Sequence, residues 1–228
     1  LPQCRKTNFG NLKSGEKMIK VRWFGHSMWK ISNDEVSIVI DPFSDIGYPM
    51  PKHETGDILL CTHNHHDHNN LDLIGGTFLT VNQPGKYEYK NVEIEAIPVW
   101  HDACQGKKRG MNLLMRFYLD GRTFLHCGDL GHDLTDDLIS KLGKIDILFI
   151  PVGGVYTIEA KTAKNLVDKI DPRIVFPMHY KTADIAFRLA GVDEFLKLVS
   201  NPRKIDSHTF DLLPVDFEKQ QTIILNYR

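Results

Sequence analysis

Cys61-Thr62-His63-Asn64-His65-His66-Asp67-His68 decides the reading of this chain, because it sets four histidines and one aspartate within six residues. The run before it, residues 57–62, carries Ile58-Leu59-Leu60-Cys61 and reads as a strand buried on both faces. If the backbone stays extended past that strand, His63, His65 and Asp67 point to one side, since side chains alternate with period two. His68 follows just past the bend, ahead of Asn69-Asn70-Leu71-Asp72-Leu73-Ile74. Imidazoles and a carboxylate are thereby gathered at the end of a buried strand, where layered α/β proteins commonly place ligands. Neutral imidazole with carboxylate is the donor set zinc prefers, and it also suits manganese and iron. A solvated histidine-rich loop would account for the composition, but not for the strand ahead of it or the placing of Asp67.

Upstream, short β-rich runs come quickly. Residues 19–24, 28–31 and 36–40 are rich in β-branched and aromatic side chains, separated by Gly25-His26 and Ser32-Asn33-Asp34. This predicts an antiparallel meander, which Asp41-Pro42 ends because proline cannot continue a ladder. Downstream, strands are expected at 77–81, 92–99, 112–119 and 122–127, the last two joined by a tight Asp120-Gly121 hairpin. The second half alternates. A helix over 133–142, a strand over 145–150 and an amphipathic helix over 158–170 are expected, with Thr157 or Thr162 as its cap. A strand over 173–176 ended by Pro177, a helix over 192–199 and a last strand over 222–225 follow. Residues 1–17 are polar and aperiodic and read as an N-terminal extension, leaving 18–228 as one domain of sheets covered by helices.

Composition narrows the function. With 42% hydrophobic and 25% charged residues the chain is ordinary globular protein, and a formal net charge of −1 offers no basic surface for nucleic acid. The one tight basic run, Lys107-Lys108-Arg109, reads as a solvated loop rather than an anion site. No apolar stretch reaches the roughly 18 residues a bilayer span needs, and no apolar signal region opens the chain, so the expected compartment is the cytoplasm. The four cysteines, Cys4, Cys61, Cys104 and Cys127, form no C-x-x-C pair and no disulfide framework. Cys61 and Cys127 fall in apolar runs as small buried hydrophobes, and Cys104 lies in a polar loop with no adjacent base to make it a nucleophile.

The histidine run resembles the signature of the metallo-β-lactamase superfamily, and the similarity extends in order over residues 18–180. It implies an α/β fold, a four-layer αββα sandwich with metals at one edge. The resemblance assigns His63, His65 and His101 to a first metal, Asp67, His68 and His179 to a second, and Asp129 to a bridge between them. Each lies at an expected strand end, as in Val99-Trp100-His101-Asp102, His126-Cys127-Gly128-Asp129 and Phe176-Pro177-Met178-His179. Trp23-Phe24-Gly25-His26-Ser27, Ile40-Asp41-Pro42-Phe43, Gly128-Asp129-Leu130-Gly131-His132 and Pro151-Val152-Gly153-Gly154 look like the branch of L-ascorbate-6-phosphate lactonase. His26 and His132 are expected to support the ligands or face substrate. His126 is expected in the core, His66 in solvent, and His53 and His208 on the surface.

The resemblance implies a hydrolase with two divalent metal ions, zinc first and manganese or iron as alternatives. Two cations about 4 Å apart can share a hydroxide at neutral pH. Asp129 would bridge them and Asp67 would orient that nucleophile, making these two the expected catalytic carboxylates. A lactone, ester or phosphate-bearing small metabolite is the expected substrate. A phosphodiesterase of the same fold, or a binding protein that kept the scaffold without turnover, are the alternatives, since fold does not fix substrate. Position 65 is His rather than the Glu of the redox diiron members, and no flavin domain is present. Only a short segment follows His179, too little for a helical thioesterase domain.

Overall fold

Alternating apolar and polar residues fold the first third of the chain as a meander. In the computed structural model, which describes residues 18–76 and 79–227, β1 (Ile19–Gly25), β2 (Met28–Ser32) and β3 (Ser37–Ile40) pair antiparallel in sequence order. The expected extension at 1–17 and the first two residues of the strand expected at 77–81 lie outside the described residues. Asp41, at φ 48°, turns the chain out of the sheet where Pro42 could no longer serve it. β4 (Ile58–Leu60) and β5 (Leu79–Val81) then add in parallel.

The next stretch builds a second sheet. β6 (Gly85–Tyr89), β7 (Val92–Trp100), β8 (Met111–Leu119) and β9 (Arg122–His126) run antiparallel. Asp120 (φ 45°) and Gly121 (φ 79°) are both left-handed, as a two-residue type I′ hairpin requires. After α1 (Asp136–Leu142), β10 (Ile147–Pro151), α2 (Ala160–Ile170) and β11 (Ile174–Met178) form parallel crossovers. A single helical turn, α3 (Asp193–Leu196), precedes β12 (Pro202–Ile205), β13 (Thr209–Leu212) and β14 (Gln221–Leu225). The sheets have the orders β13-β1-β2-β3-β4-β5 and β12-β14-β11-β10-β9-β8-β7-β6.

The two sheets share one core. Ile38, Ile40, Ile58 and Leu60 face the second sheet, while the intervening Val39 and Leu59 face outward into a smaller cluster with Phe43, Ile46, Tyr48, Ile185 and Leu189. Loop segments thus cover much of the outer face of the first sheet, and α1 and α2 accompany the second. Trp29 on β2 ties the sheets together, with its ring 4.8 Å from Phe149 and 5.3 Å from Phe176. Truncating such a buried aromatic costs about 3–5 kcal/mol.

Several boundaries differ from expectation. α1 starts at Asp136 because the Thr135 hydroxyl accepts from Leu138 N–H at 3.3 Å. α2 begins after Glu159 with no side-chain cap, so neither Thr157 nor Thr162 caps it. The helix expected over 192–199 is one turn long. Pro177 does not end its strand. It lies beyond Val175, the last residue paired with β14, so its missing N–H is not needed on that side. Among the described residues no helix is long and apolar enough to cross a membrane.

Topology positions the site. β1, β3 and β4 run the same way in the first sheet, as do β7, β9, β10 and β11 in the second. Their C-terminal ends therefore meet at one edge of the sandwich. The loops leaving β1, β4, β7, β9 and β11 carry His26, residues 63–68, His101, Asp129 and His179 respectively.

Candidate metal centre

Asp129 stands at the middle of this edge. One of its oxygens lies 3.1 Å from His179 Nε2, 3.3 Å from His101 Nε2 and 3.9 Å from His63 Nε2, and the other lies 3.2 Å from His68 Nε2. Asp67 lies 3.7 Å from His68 Nε2 and 3.3 Å from His26 Nε2. Donor atoms fall into three overlapping groups, each within 4.8 Å: His63, His65 and His101; His63, His68 and Asp129; His26, Asp67, His68 and His179. All seven candidate ligands expected from the sequence are thus brought together, and His26 joins them. His65 and His66 lie toward solvent, while the others are buried.

The buried atoms converge without satisfying one another. His63 Nε2, His68 Nε2 and Asp129 Oδ1 are buried and have no hydrogen-bond partner despite the short distances between them. Leaving such groups unpaired costs about 1–3 kcal/mol each. A cation at their focus would satisfy them together, so the donor set fits a metal.

Asp41 holds the cluster from behind. Its fully buried carboxylate accepts from Thr62 N–H at 2.8 Å, from the Thr62 hydroxyl at 2.8 Å and from His68 Nδ1 at 2.9 Å. Thr62 Oγ1 is also 3.0 Å from His63 Nδ1. The hydroxyl's one hydrogen goes to Asp41, so it accepts from His63 Nδ1–H. One carboxylate thereby fixes two imidazoles with their protons on Nδ1 and their Nε2 lone pairs turned to the site. Behind Asp129, Asn112 accepts its backbone N–H at 2.9 Å and donates to Cys127 C=O at 2.8 Å.

These surroundings set the charges. Burial pushes His63 and His26 down to about 3, helped by His68 beside the first and His179 beside the second. Burial also lowers His65 and His126. It acts the same way on His68, but Asp129 and Asp41 together outweigh it and hold that imidazole well above its ordinary value. For Asp129 burial favours the neutral acid, yet His179 and His68 prevail and keep it far below the usual carboxylate range. Burial likewise opposes the lowering of Asp67 by its hydrogen bond with His26, and that of Asp41 by His68.

Close backbone approach completes the edge. At Gly131 a Cβ would lie 2.3 Å from the His101 carbonyl, and at Gly128 (φ 52°) 2.3 Å from Asn112 Oδ1. Only glycine allows the Asp129 loop to sit this close on both sides.

Other expected positions sort clearly. His132 does not line the pocket. Its Nε2 accepts from Trp100 N–H at 3.1 Å and its Nδ1 donates to Asp133 C=O at 2.7 Å, so it braces the backbone beside His101. His126 is fully buried and bonded to Ser27 C=O and Gly128 N–H, His66 and His53 are exposed, and His208 is half-buried. Cys61 and Cys127 are buried thiols and Cys104 is half-buried. Burial raises the first two to about 12 or beyond, and a hydrogen bond to Asp102 raises the third, so none is poised as a thiolate. Lys107 and Lys108 are solvated as expected, but Arg109 is half-buried and lines the pocket, contrary to the solvated-loop reading. The role of Asp41 was not visible in its sequence position alone. The signal was a carboxylate at a strand end facing a threonine before the histidine run.

Comparison with known proteins agrees with this architecture. The sequence profile of the Beta-lactamase superfamily domain matches residues 20–179. A UPF0173 metal-dependent hydrolase of Thermococcus onnurineus is 31% identical over 82% of this chain and 95% of its own length. One from Pyrococcus furiosus is 32% identical over the same shares of the two chains. A crystal structure from Thermotoga maritima, described as a candidate Zn-dependent hydrolase of the metallo-beta-lactamase superfamily, superposes with a TM-score of 0.78 at 33% identity, covering 91% of this chain and 98% of its own. The chain belongs to the metallo-β-lactamase superfamily and, within it, to the UPF0173 family of metal-dependent hydrolases.

Proposed function

We propose that the centre holds two divalent cations and hydrolyses a small metabolite carrying a lactone, ester or phosphate bond. His63, His65 and His101 would hold one cation, and Asp67, His68 and His179 the other, with Asp129 between them. The observation that carries this reading is the convergence of His63 Nε2, His68 Nε2 and Asp129 Oδ1, buried and unpaired, on a common point. Imidazole with carboxylate favours zinc, and manganese and iron accept the same donors. When bound, such cations supply Lewis acidity and lower the pKa of water toward neutrality.

The chain's own residues do the rest. Asp129 draws imidazoles from three loops onto one carboxylate. Asp41 and Thr62 hold His68 and His63 in the tautomer that faces the site. Asp67 presents a carboxylate to the pocket, positioned by His26, and is the group placed to orient an attacking water. A pocket of about 370 Å³ opens over these groups and suits a small molecule. The sequence likeness to the ascorbate-6-phosphate lactonase branch, in Trp23–Ser27 and Gly128–His132, supports a lactone or phosphate-bearing substrate within that class.

Metal analysis of protein purified without added metal, followed by a lactone, ester and phosphodiester screen, tests the proposal. Two equivalents of metal and chelator-sensitive turnover are expected. Protein that binds no divalent cation when reconstituted would refute it.

A further inference from the structure

Resting on that reading, we propose that Arg109 makes the pocket an anion receptor, so that the substrate carries a carboxylate or phosphate group gripped opposite the reacting centre. The loop from β7 to β8 is wound around one buried side chain. The Asp102 carboxylate accepts from the backbone N–H of Cys104 at 2.8 Å, Gly106 at 2.9 Å, Lys108 at 2.9 Å and Arg109 at 2.8 Å. Gly110 N–H closes the loop on Gly106 C=O at 2.9 Å, and His101 N–H donates to Gly110 C=O at 3.1 Å. The backbone of Arg109 is thereby fixed to the same loop that carries the candidate ligand His101.

From this base the Arg109 side chain reaches across to the facing wall. One guanidinium nitrogen donates to Val155 C=O at 3.3 Å, and the group stands 5.4 Å from the centre of the Tyr156 ring. Among the described residues it has no carboxylate partner. A guanidinium offers five donors in a planar fork suited to carboxylate and phosphate oxygens, and the hydrogen bond to Val155 engages one of them. Lys107 and Lys108 beside it are exposed, so the loop turns one cation inward and two outward. Tyr156 and Phe187, with ring centres 6.3 Å apart, supply an apolar flank for the body of the ligand. Basic and apolar walls beside a cation-binding floor select a molecule that is anionic at one end, rather than a neutral ester.

Calorimetric binding to zinc-reconstituted protein tests this without requiring turnover. The probes are phenyl phosphate, benzoate and neutral benzamide, and the proteins are wild type, Arg109→Met, Arg109→Lys and Lys108→Met, each checked for metal content. Arg109→Met is expected to weaken at least one anion by about tenfold or more, leave benzamide within about twofold, and keep its metal. Arg109→Lys should fall between, and Lys108→Met should match wild type. The anion that loses more identifies phosphate or carboxylate as the preferred group. Equal anion affinity in wild type and Arg109→Met, or wild-type binding of benzamide as tight as of both anions, would overturn the proposal. Arg109-dependent anion binding by a protein that hydrolyses nothing would instead remove the hydrolase reading and leave this one standing.

Discussion

Replacing Asp41 by Asn changes one atom for another of nearly equal size, yet it should disarm two candidate ligands from behind, His68 by direct contact and His63 through Thr62. In the native arrangement three donors converge on Asp41: Thr62 N–H on one oxygen, and the Thr62 hydroxyl and His68 Nδ1 on the other. An Asn offers one oxygen and one NH2. Placing the NH2 toward Thr62 N–H sets donor against donor, because a backbone amide cannot reverse. The tolerable orientation puts the NH2 toward the hydroxyl and the imidazole, both of which can become acceptors. His68 then carries its proton on Nε2, the nitrogen that faces Asp129. The Thr62 hydroxyl, now accepting, turns its hydrogen toward His63 Nδ1, 3.0 Å away, and pushes that proton to Nε2 as well.

Loss of an outer hydrogen-bond partner typically costs 10- to 100-fold in metal affinity, or about 1.4–2.8 kcal/mol. If both histidines switch, the loss for Asp41→Asn is roughly doubled in energy. Thr62→Val is expected to release only His63 and to fall in the single-ligand range. Competition against a chromophoric chelator measures the affinities, and long-range proton–nitrogen correlation spectra of the metal-free variants report the tautomers directly. Thermal unfolding of each variant establishes that it remains folded. Wild-type metal affinity in a folded Asp41→Asn protein, or retention of Nδ1–H on both His63 and His68, would refute the reasoning.

Asp129→Ala should abolish activity and loosen metal, whereas Trp100→Phe, at a residue 43% exposed, should leave both within about twofold; metal content and rate measured together separate them. Metal-free protein should lose stability as pH falls from 6.5 toward 3, because His26 and His63 are held at about 3 in the fold and take up protons only on unfolding. Each unit of that window removes up to about 1.4 kcal/mol per imidazole. His68, raised instead, is already protonated in both states through most of this window and its contribution is lost only as pH rises above 6.5, so a melting temperature that stays flat or climbs on acidification would contradict the assignment. Gly131→Ala should displace the His101 loop and lower metal content, since its Cβ would fall 2.3 Å from the His101 carbonyl, while Gly191→Ala, where nothing lies within 4 Å, serves as the neutral control in the same metal and melting assays.

The central strands were legible because burial leaves a plain mark. Residues 58–60 and 147–150 are apolar without interruption, and the meander from Ile19 shows alternation. β6, β12 and β13 leave no such mark in the sequence, and two of them show why. Lys86 and Glu88 in β6, and Pro202, Arg203 and Lys204 in β12, are the charges and proline that blunt a sheet edge, and the same residues erase the pattern that identifies a strand. The ligand candidates were legible for a related reason. Each sits immediately after a readable strand, and chemistry-bearing residues at strand ends stand out against apolar runs. Their supports did not. Asp41, Thr62, Asn112 and Asp102 are common turn residues in sequence, and only the folded chain shows that their polar atoms point inward. Arg109 shares a basic run with two solvated lysines, and nothing in that run tells which of the three turns into the pocket.

Charge gives a separate argument for cations at this edge, independent of any motif. Asp41, Asp67 and Asp129 are all buried and all held in the ionised form. Of the imidazoles around them, His26 and His63 are held neutral by burial, and His68 is the one driven toward the charged form. A protonated His68 answers part of this negative charge, but a proton on its Nε2 occupies the lone pair that the Asp41 contact turns inward. The same geometry that raises His68 as an acid therefore prepares it as a ligand, and a divalent cation can replace the proton while also answering Asp67 and Asp129. Metal uptake should release protons as a result. A buffered calorimetric titration that detected none at neutral pH would mean that His68 is not the group exchanging proton for metal.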